Sequence, residues 1–494
     1  MNIYFGDIHN HCDISYGFGS LENALKAGRE HLDFCAVTGH AMWPDIYESN
    51  DETAFIVGFH NAGFRKLHDN WENVRETIAA FNRDGEFVTF QSYEMHSSAL
   101  GDHHILSPDD RLEIIEAGNP GEIIADLQNE AIAIPHHTAY TPGYRGIDWD
   151  GFDSRISPVV EVYSKHGCGV SDESADPYLH TMGPRDGRNT AYSGLSKGKI
   201  FGFAASSDHH AGYPGSYGEG LTAVMADNLS RAAIWDAIKN RRTYAVTGDR
   251  IKCFFSVNGY PMGSQIDADN EYRIAFSAEA VDFIEKAVVY KNLNPVKSIR
   301  REDFMQPFGS RGTYKVRIEN GWGRNAGTFK WHNRAGINNG VLMNVEKHFR
   351  GQSVLAPRED EFYSGEVNDL GNKVISSDDK EVVWECSTFR NPTTRHSGTC
   401  SMVLEIDGSP DTSIDLDFNG KKTEVSIGGL LAGGISGHLK KYNSEAYLIH
   451  KAVPESMYRI DMEFIEKARP GDFFHAELHQ TNGQSAWVSP VFIK

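Results

Sequence analysis

The sequence predicts an α/β protein whose second half is rich in β-structure, and three observations carry that reading. Up to about residue 250, short apolar runs alternate with amphipathic segments, the rhythm of parallel strands joined by helical crossovers. Beyond that point, stretches such as 253–258, 272–278, 287–290, 314–318 and 402–406 are strand-like and separated by Gly, Asn and Asp turns, while good helix patterns become scarce. Histidine is also unevenly spread: 15 of the 22 fall in residues 1–210, which places the chemistry there. We therefore divide the chain into residues 1–250 and residues 251–494.

The elements follow in order. Residues 3–8 read as a strand, and 21–31 as a helix with Ser20 as N-cap. Residues 34–37 form the next strand, 71–82 have helical spacing, and 87–90 read as a buried strand. A helix over 120–129 and strands at 131–134, 159–163 and 200–205 continue the rhythm, and a helix over 229–239 closes it. Residues 251–494 read as one antiparallel sandwich-like domain or two smaller β units. The stretch 175–197, rich in Gly, Ser, Asn and Arg, is the best candidate for a long functional loop.

Bulk composition narrows the function. A chain of 494 residues suggests two or three domains, and 40% apolar with 23% charged residues is ordinary globular composition. No apolar run is long enough to span a membrane, and no basic segment followed by an apolar one opens the chain. The run Asn2-Ile3-Tyr4-Phe5 passes straight into motif-bearing sequence, so a true start at or near Met1 is expected. The six cysteines lack CxxC or framework spacing, which reads as free thiols in a reducing cytoplasm. A formal charge of −20 argues against nucleic acid and anionic membranes as partners. A small ester substrate is compatible with it, an anionic one included, because bound cations invert the local field. A homo-oligomer is left open.

Polar residues cluster at strand ends. His9 and His11 stand two apart at the end of the first strand, and a period of two points both to one side. His40 follows the second strand, Glu94 follows the strand over 87–91, and His103 and His104 precede Ile105. His136 and His137 follow Ile134-Pro135, and Asp208, His209 and His210 follow the strand at 200–205. In a parallel barrel these ends meet at one face. Imidazoles and carboxylates converging there suit Zn²⁺, Mn²⁺ or Fe²⁺. A carboxylate such as Glu94 can bridge two cations that share and acidify one water. One HxH or one His-His pair is weak evidence by itself, but five strands ending in His, Glu or Asp are not ordinary composition. Glu161 lies inside an apolar run, either as a paired structural carboxylate or as a partner to a ligand. His31, His60, His68 and His166 read as structural or surface residues, and Trp487 as packing.

The order Gly6-Asp7-Ile8-His9-Asn10-His11, Thr38-Gly39-His40, Glu94, His104, His136 and Ser207-Asp208-His209-His210 resembles the PHP (polymerase and histidinol phosphatase) superfamily. The resemblance covers roughly residues 1–250. It implies a distorted (β/α)7 PHP-type barrel holding two or three divalent metals, usually acting on phosphate esters. By position it implies His9, His11, His40, Glu94, His104, His136, Asp208 and His210 as ligands. Two departures stand out: Gly39 replaces the usual aspartate before His40, and Tyr16 stands where an acidic residue usually follows the HxH. Asp13 is the candidate replacement for that ligand. Pro135-His136-His137-Thr138, the segment 241–248 and the ending Ala486-Trp487-Val488-Ser489-Pro490 are similar to large PHP-type hydrolases with a β-rich tail, a branch that includes carbamate-ester hydrolases.

These readings lead to a cytoplasmic metallohydrolase using a metal-bridging hydroxide, with phosphate-ester hydrolysis favoured. His137, His209 and Lys165 are candidates for protonating the leaving group, and Arg185 or Arg188 for clamping an anionic substrate. Carbamate or carboxylic-ester hydrolysis is the enzyme alternative. A non-catalytic binding protein stabilised by metal is the alternative of another class, and the large ligand set weighs against it. An amidohydrolase also opens with HxH, but Glu94 and the closing Asp208-His209-His210 fit PHP better.

Overall fold

A computed structural model describes residues 1–178, 183–304, 311–323, 327–353, 368–390, 397–442 and 444–494. Its first half consists of β1 (Asn2–Asp7), α1 (Leu21–His31), β2 (Phe34–Cys35), β3 (Gly39–Met42), α2 (Ala54–Phe81), β4 (Val88–Thr89), β5 (Gln91–Met95), β6 (His103–Ser107), α3 (Pro120–Asp126), β7 (Ile132–Pro135), β8 (Val159–Ser164), β9 (Gly167–Cys168), α4 (Ala191–Ser196), β10 (Gly202–Ala205), β11 (Leu221–Ala226), α5 (Arg231–Lys239) and β12 (Thr243–Val246). Helix α1 has the bounds its sequence predicts, and the Ser20 hydroxyl accepts the Asn23 N–H as the N-cap. Helix α2 is far longer than the segment 71–82. Its buried stripe Val57, His60, Phe64, Leu67, Trp71, Val74 and Ile78 repeats at three- and four-residue steps from its first turns.

The strands fall into three sheets rather than one closed parallel ring. In the largest, β4, β2, β1, β11 and β12 lie side by side; β3, β5, β6 and β7 form a second sheet, and β10, β8 and β9 a third. Pairs β1/β2, β2/β4, β3/β5 and β8/β10 are parallel, whereas β1/β11, β11/β12, β5/β6 and β6/β7 are antiparallel. The regular (β/α)7 alternation expected for residues 1–250 is therefore not what the described residues form. Part of the reason lies in the connections. Residues 96–102 are all that joins β5 to β6, and a parallel crossover needs about a dozen or more residues. The result is a mixed α/β assembly with a β-rich second half.

The first sheet runs without a break across residue 250. Strand β12 pairs antiparallel with Ser485–Ile493, which continues into Phe473–Gln480, Ile284–Lys291 and Asn294–Arg300. One apolar core correspondingly holds Phe5, Cys35 and Val246 together with Phe276, Leu478 and Val488. Described strands between Gly312 and Pro454 form two further sheets, of six and five strands. Their shared core contains Trp331, Trp384, Leu404 and Ile414, and it takes in Tyr213 from the first half. No helix among the described residues is long and apolar enough to cross a membrane.

Candidate metal centre

Strand β1 delivers His9 and His11 to the junction of the three sheets. They follow Asp7, a buried carboxylate that accepts the backbone N–H of His9 (3.2 Å), Ser207 (3.1 Å) and Gly215 (2.7 Å) and the Ser207 hydroxyl (2.5 Å). Burial pushes the Asp7 carboxyl up to about 6 against these hydrogen bonds. Asp7 thus ties the end of β1 to the loop carrying Asp208 and His210. His40 and Glu94 lie within β3 and β5 rather than beyond them, and parallel pairing sets them opposite one another. His104 on β6 pairs across from Glu94. His136 follows β7.

Four atoms from three parts of the chain come unusually close. His9 Nε2 is 3.1 Å from His11 Nε2, 3.4 Å from Glu94 Oε2 and 3.6 Å from Asp208 Oδ1. His11 Nε2 is 3.3 Å from Glu94 Oε2 and 3.1 Å from Asp208 Oδ1. Bonds of 2.0–2.1 Å to a tetrahedral cation would set ligand atoms about 3.3–3.4 Å apart, so these five separations bracket the edges of such a polyhedron. The second Glu94 oxygen, Oε1, is 3.1 Å from His136 Nε2. His9, His104 and His136 form one group able to hold a cation, and His11, His40 and His210 another. Glu94 Oε2 also lies 3.6 Å from His40 Nε2.

Orphaned atoms show that the residues fit such ions. Both Asp208 carboxylate oxygens and both His104 ring nitrogens are buried without a hydrogen-bond partner, an arrangement that costs about 1–3 kcal/mol per group unless something else satisfies it. Burial favours a neutral His9, yet Asp208 and Glu161 hold it well above the ordinary histidine value; elsewhere in the cluster protonation is suited to coordination. Burial, reinforced by neighbouring imidazoles, holds His40, His104 and His210 well below the ordinary histidine value and His136 at about 3. Burial works against ionisation of Glu94 and Asp208, yet surrounding histidines hold both carboxyls well below the usual range. Neutral imidazoles and ionised carboxylates are the forms that bind metal.

Supporting contacts fix the candidate ligands. Glu161 on β8 lies 3.0 Å from His9 Nδ1, leaving His9 Nε2 to face the cluster. Ser15 Oγ lies 3.0 Å from His40 Nδ1. His137 and Asp208 have φ of 51° and 50°, a left-handed conformation that costs a non-glycine residue about 1–3 kcal/mol and concentrates at functional sites.

The remaining sequence candidates separate. Lys165 is half-buried at the end of β8, and its ammonium acts electrostatically on His166, His210 and Glu219. His137 Nε2 lies 3.1 Å from Asp208 Oδ2, within the cluster. The His209 ring is instead engaged 2.7 Å from Glu219 Oε2, with its other nitrogen facing Gly351. Arg185 donates to four backbone carbonyls, of Cys168, Asp172, Ser174 and Asp176, at 3.0–3.3 Å, so it braces the 168–176 segment and is no free anion clamp. Arg188 is 81% exposed and paired with Asp186. Asp13 is half-buried in the turn after His11, where its N–H donates to Gly19 O at 2.9 Å. Trp487 is buried in an apolar cluster.

Three contributors went unread in the sequence. His96 sits with His40 and Glu94 in a group able to hold a cation, and the two-residue step from Glu94 could have revealed it. Tyr16 Oη lies 2.6 Å from His96 Nε2, so the residue at the departed acidic position is bound into this wall. Arg145, buried against Asp102 and His96, places a permanent positive charge beside them. His166, read as structural, lies 3.1 Å from Asp208 Oδ2.

Comparisons find uncharacterised relatives for part of the chain. A family described as a protein of unknown function (DUF3604) matches residues 204–282. Uncharacterized proteins of Chlamydia pneumoniae and Chlamydia muridarum are 26% and 27% identical over 41% and 40% of this chain. The chain's match spans about a third of those relatives, 35% and 34% of their length. Another from Chlamydia trachomatis is 25% identical over 49% of this chain and 41% of its own. Among solved structures, a two-domain Bacteroides vulgatus protein containing predicted PHP-like metal-dependent phosphoesterase aligns at TM-score 0.30 and 14% identity, covering 58% of this chain and 79% of that one. The lesion-specific endonuclease EndoQ of Pyrococcus furiosus aligns at TM-score 0.29 and 13% identity, covering 48% and 56%.

Proposed function

We propose that this protein is a PHP-type metal-dependent hydrolase acting on phosphate esters, with two or three divalent cations of the Zn, Mn or Fe kind. The observation that carries the reading is the set of 3.1–3.6 Å separations among His9, His11, Glu94 and Asp208 atoms that have lone pairs to offer. Bound there, divalent cations would acidify a water and offset charge building on a phosphoryl oxygen.

The chain's own residues supply the rest. Glu94 presents its two oxygens to two groups of imidazoles, one holding His9 and His11, the other His136. Glu161 orients His9, and the buried walls keep the polar cluster out of bulk water. The Lys165 ammonium, which acts electrostatically on His210, would attract an anionic ester and is the candidate proton donor to its leaving oxygen. His137 stands at the opposite carboxylate oxygen of Asp208. An anionic substrate also suits a protein of charge −20 only if the site itself is locally positive, and buried cations with Lys165 would make it so.

The test is hydrolysis of chromogenic phosphomonoester, phosphodiester and aryl-carbamate substrates by protein stripped of metal and reloaded. Reloading with Mn²⁺ or Zn²⁺ is expected to restore phosphoesterase turnover. Carbamate cleavage alone would move the substrate class, and a protein that retains no divalent metal would refute the reading.

A further inference from the structure

The Asp208 carboxylate has two faces. Its Oδ1 belongs to the group with His9 and His11, while Oδ2 points to a separate pair of imidazoles. His137 Nε2 and His166 Nε2 both lie 3.1 Å from that oxygen. Their rings stand nearly perpendicular, with centroids 5.0 Å apart. Two N–H donors at this distance would ordinarily hydrogen-bond the carboxylate. Yet Asp208 Oδ2 is buried and has no hydrogen-bond partner, so neither imidazole meets it at a hydrogen-bonding angle.

Hydrogen-bond distance without hydrogen-bond direction is the signature already seen between His11 Nε2 and Asp208 Oδ1. It is what results when nitrogen and oxygen lone pairs are aimed at a common point between them. For a six-coordinate cation with bonds of about 2.1–2.2 Å, cis ligands lie about 3.0–3.1 Å apart, which matches both separations. We propose that His137, His166 and Asp208 Oδ2 form an additional divalent-cation position beside the cluster. It rests on the reading of the cluster as a metal centre and goes beyond the ligand positions that the resemblance implies.

The backbone supports the assignment. His137 and Asp208 are both non-glycine residues held at positive φ, and their side chains meet here. His166 sits just past the end of β8, beside Lys165, and its side chain keeps some exposure to solvent. Asp208 would then bridge two cations through its two oxygens, as Glu94 is placed to do. The outer cation would suit a second anionic oxygen of the substrate. Its ligand set among the described residues, two imidazoles and one carboxylate, favours Mn²⁺, Fe²⁺ or Zn²⁺ over Ca²⁺.

Equilibrium dialysis of full-length protein against saturating Mn²⁺, with bound metal counted by atomic emission, tests this. Wild type is compared with His137→Ala, His166→Ala and the conservative His166→Asn, and with the exposed His332→Ala as control. Each variant at 137 or 166 is expected to bind one Mn²⁺ fewer than wild type at saturation, and the control the same number. If the two imidazoles only steady Asp208, the variants would bind more weakly but reach the wild-type count, and the proposal would be overturned. Anomalous diffraction from wild-type crystals soaked in Mn²⁺ decides the case should a variant fail to fold: a peak between His137 and His166 supports the position, and no peak there refutes it. Wild type binding no Mn²⁺ at all would instead sink the metal-centre reading on which this one stands.

Discussion

Glu94→Gln tests whether one carboxylate holds the cluster together. Glu94 Oε2 lies 3.3–3.6 Å from His9, His11 and His40, and Oε1 lies 3.1 Å from His136 and 3.3 Å from His96. A glutamine keeps the shape but offers one neutral oxygen and one NH₂ group. Whichever way the amide turns, its NH₂ faces an imidazole nitrogen at hydrogen-bond distance and occupies the lone pair that a cation would need. One side of the bridge is therefore lost, and the other keeps a weaker, uncharged ligand. Removing a strong electrostatic contribution of this kind costs about 10²-fold or more in turnover, roughly 2.7 kcal/mol of barrier. A similar loss of affinity removes stability by mass action. At free metal 100 times the wild-type dissociation constant, metal stabilises the fold by about 2.7 kcal/mol, and a 100-fold weaker site by only about 0.4 kcal/mol. The assay is turnover, metal per chain and urea midpoint, with and without metal, on protein shown to be folded. Wild-type turnover with unchanged metal content would refute the bridging role. A stability loss that persists equally without metal would show that Glu94 is merely a structural carboxylate.

Two further perturbations separate binding from support. Glu161→Gln leaves every cluster atom in place but weakens the acceptor opposite His9 Nδ1. It should lower metal affinity about 10–100-fold while the saturated count stays at the wild-type number, as titration against a chelator would show. Glu346 accepts the Arg250 N–H at 2.9 Å and lies 2.6 Å from His348 Nε2. Burial opposes its ionisation, but the neighbouring His348 prevails and holds the carboxyl down to about 2, against an ordinary 4.5. A folded-state value below the unfolded one means stability that is present above pH 4.5 and lost as pH falls toward 2. The contribution is roughly 3 kcal/mol. Urea unfolding of Glu346→Gln should show about that deficit at pH 7, closing as the pH is lowered through this window.

Much of the site was legible because strand geometry carries it. His9 and His11 share a face by the two-residue period of β1, and His104 stands one position from His103, which points elsewhere, toward Gly101 O. The sheet pairing was less legible. Alternation of apolar and amphipathic segments does not say whether adjacent strands run parallel, and the short loop 96–102 turns β5 back into β6. That reversal brings Glu94 opposite His104, while the two-residue step from Glu94 keeps His96 at the same wall. His166 was hidden for a different reason. It belongs to no pair in the sequence, and only the return of the chain after β10 sets Asp208 against it.

The β-rich second half belongs in an account of the site, because of what it holds. Asp208 carries a strained backbone at φ 50° on a loop whose own secondary structure is slight. Such strain persists only where surrounding structure over-determines it. Asp7 secures the loop from the first half, and the second half secures the rest. Asn368 donates to Ala211 O at 2.7 Å, Asn372 to Tyr213 Oη at 2.6 Å and Arg350 to Tyr217 O at 2.6 Å. Tyr213 itself is sunk in the core shared by the two outer sheets. Gly351 completes the contact by having no side chain, since a Cβ there would lie 2.3 Å from Tyr213 and 3.0 Å from His209 Nε2. The residues after Asp208 and His210 are thus clamped between two layers whose sequences lie more than a hundred residues apart. A carboxylate on a short strained loop needs that kind of enclosure if it is to keep both oxygens facing imidazoles when no hydrogen bond directs either one.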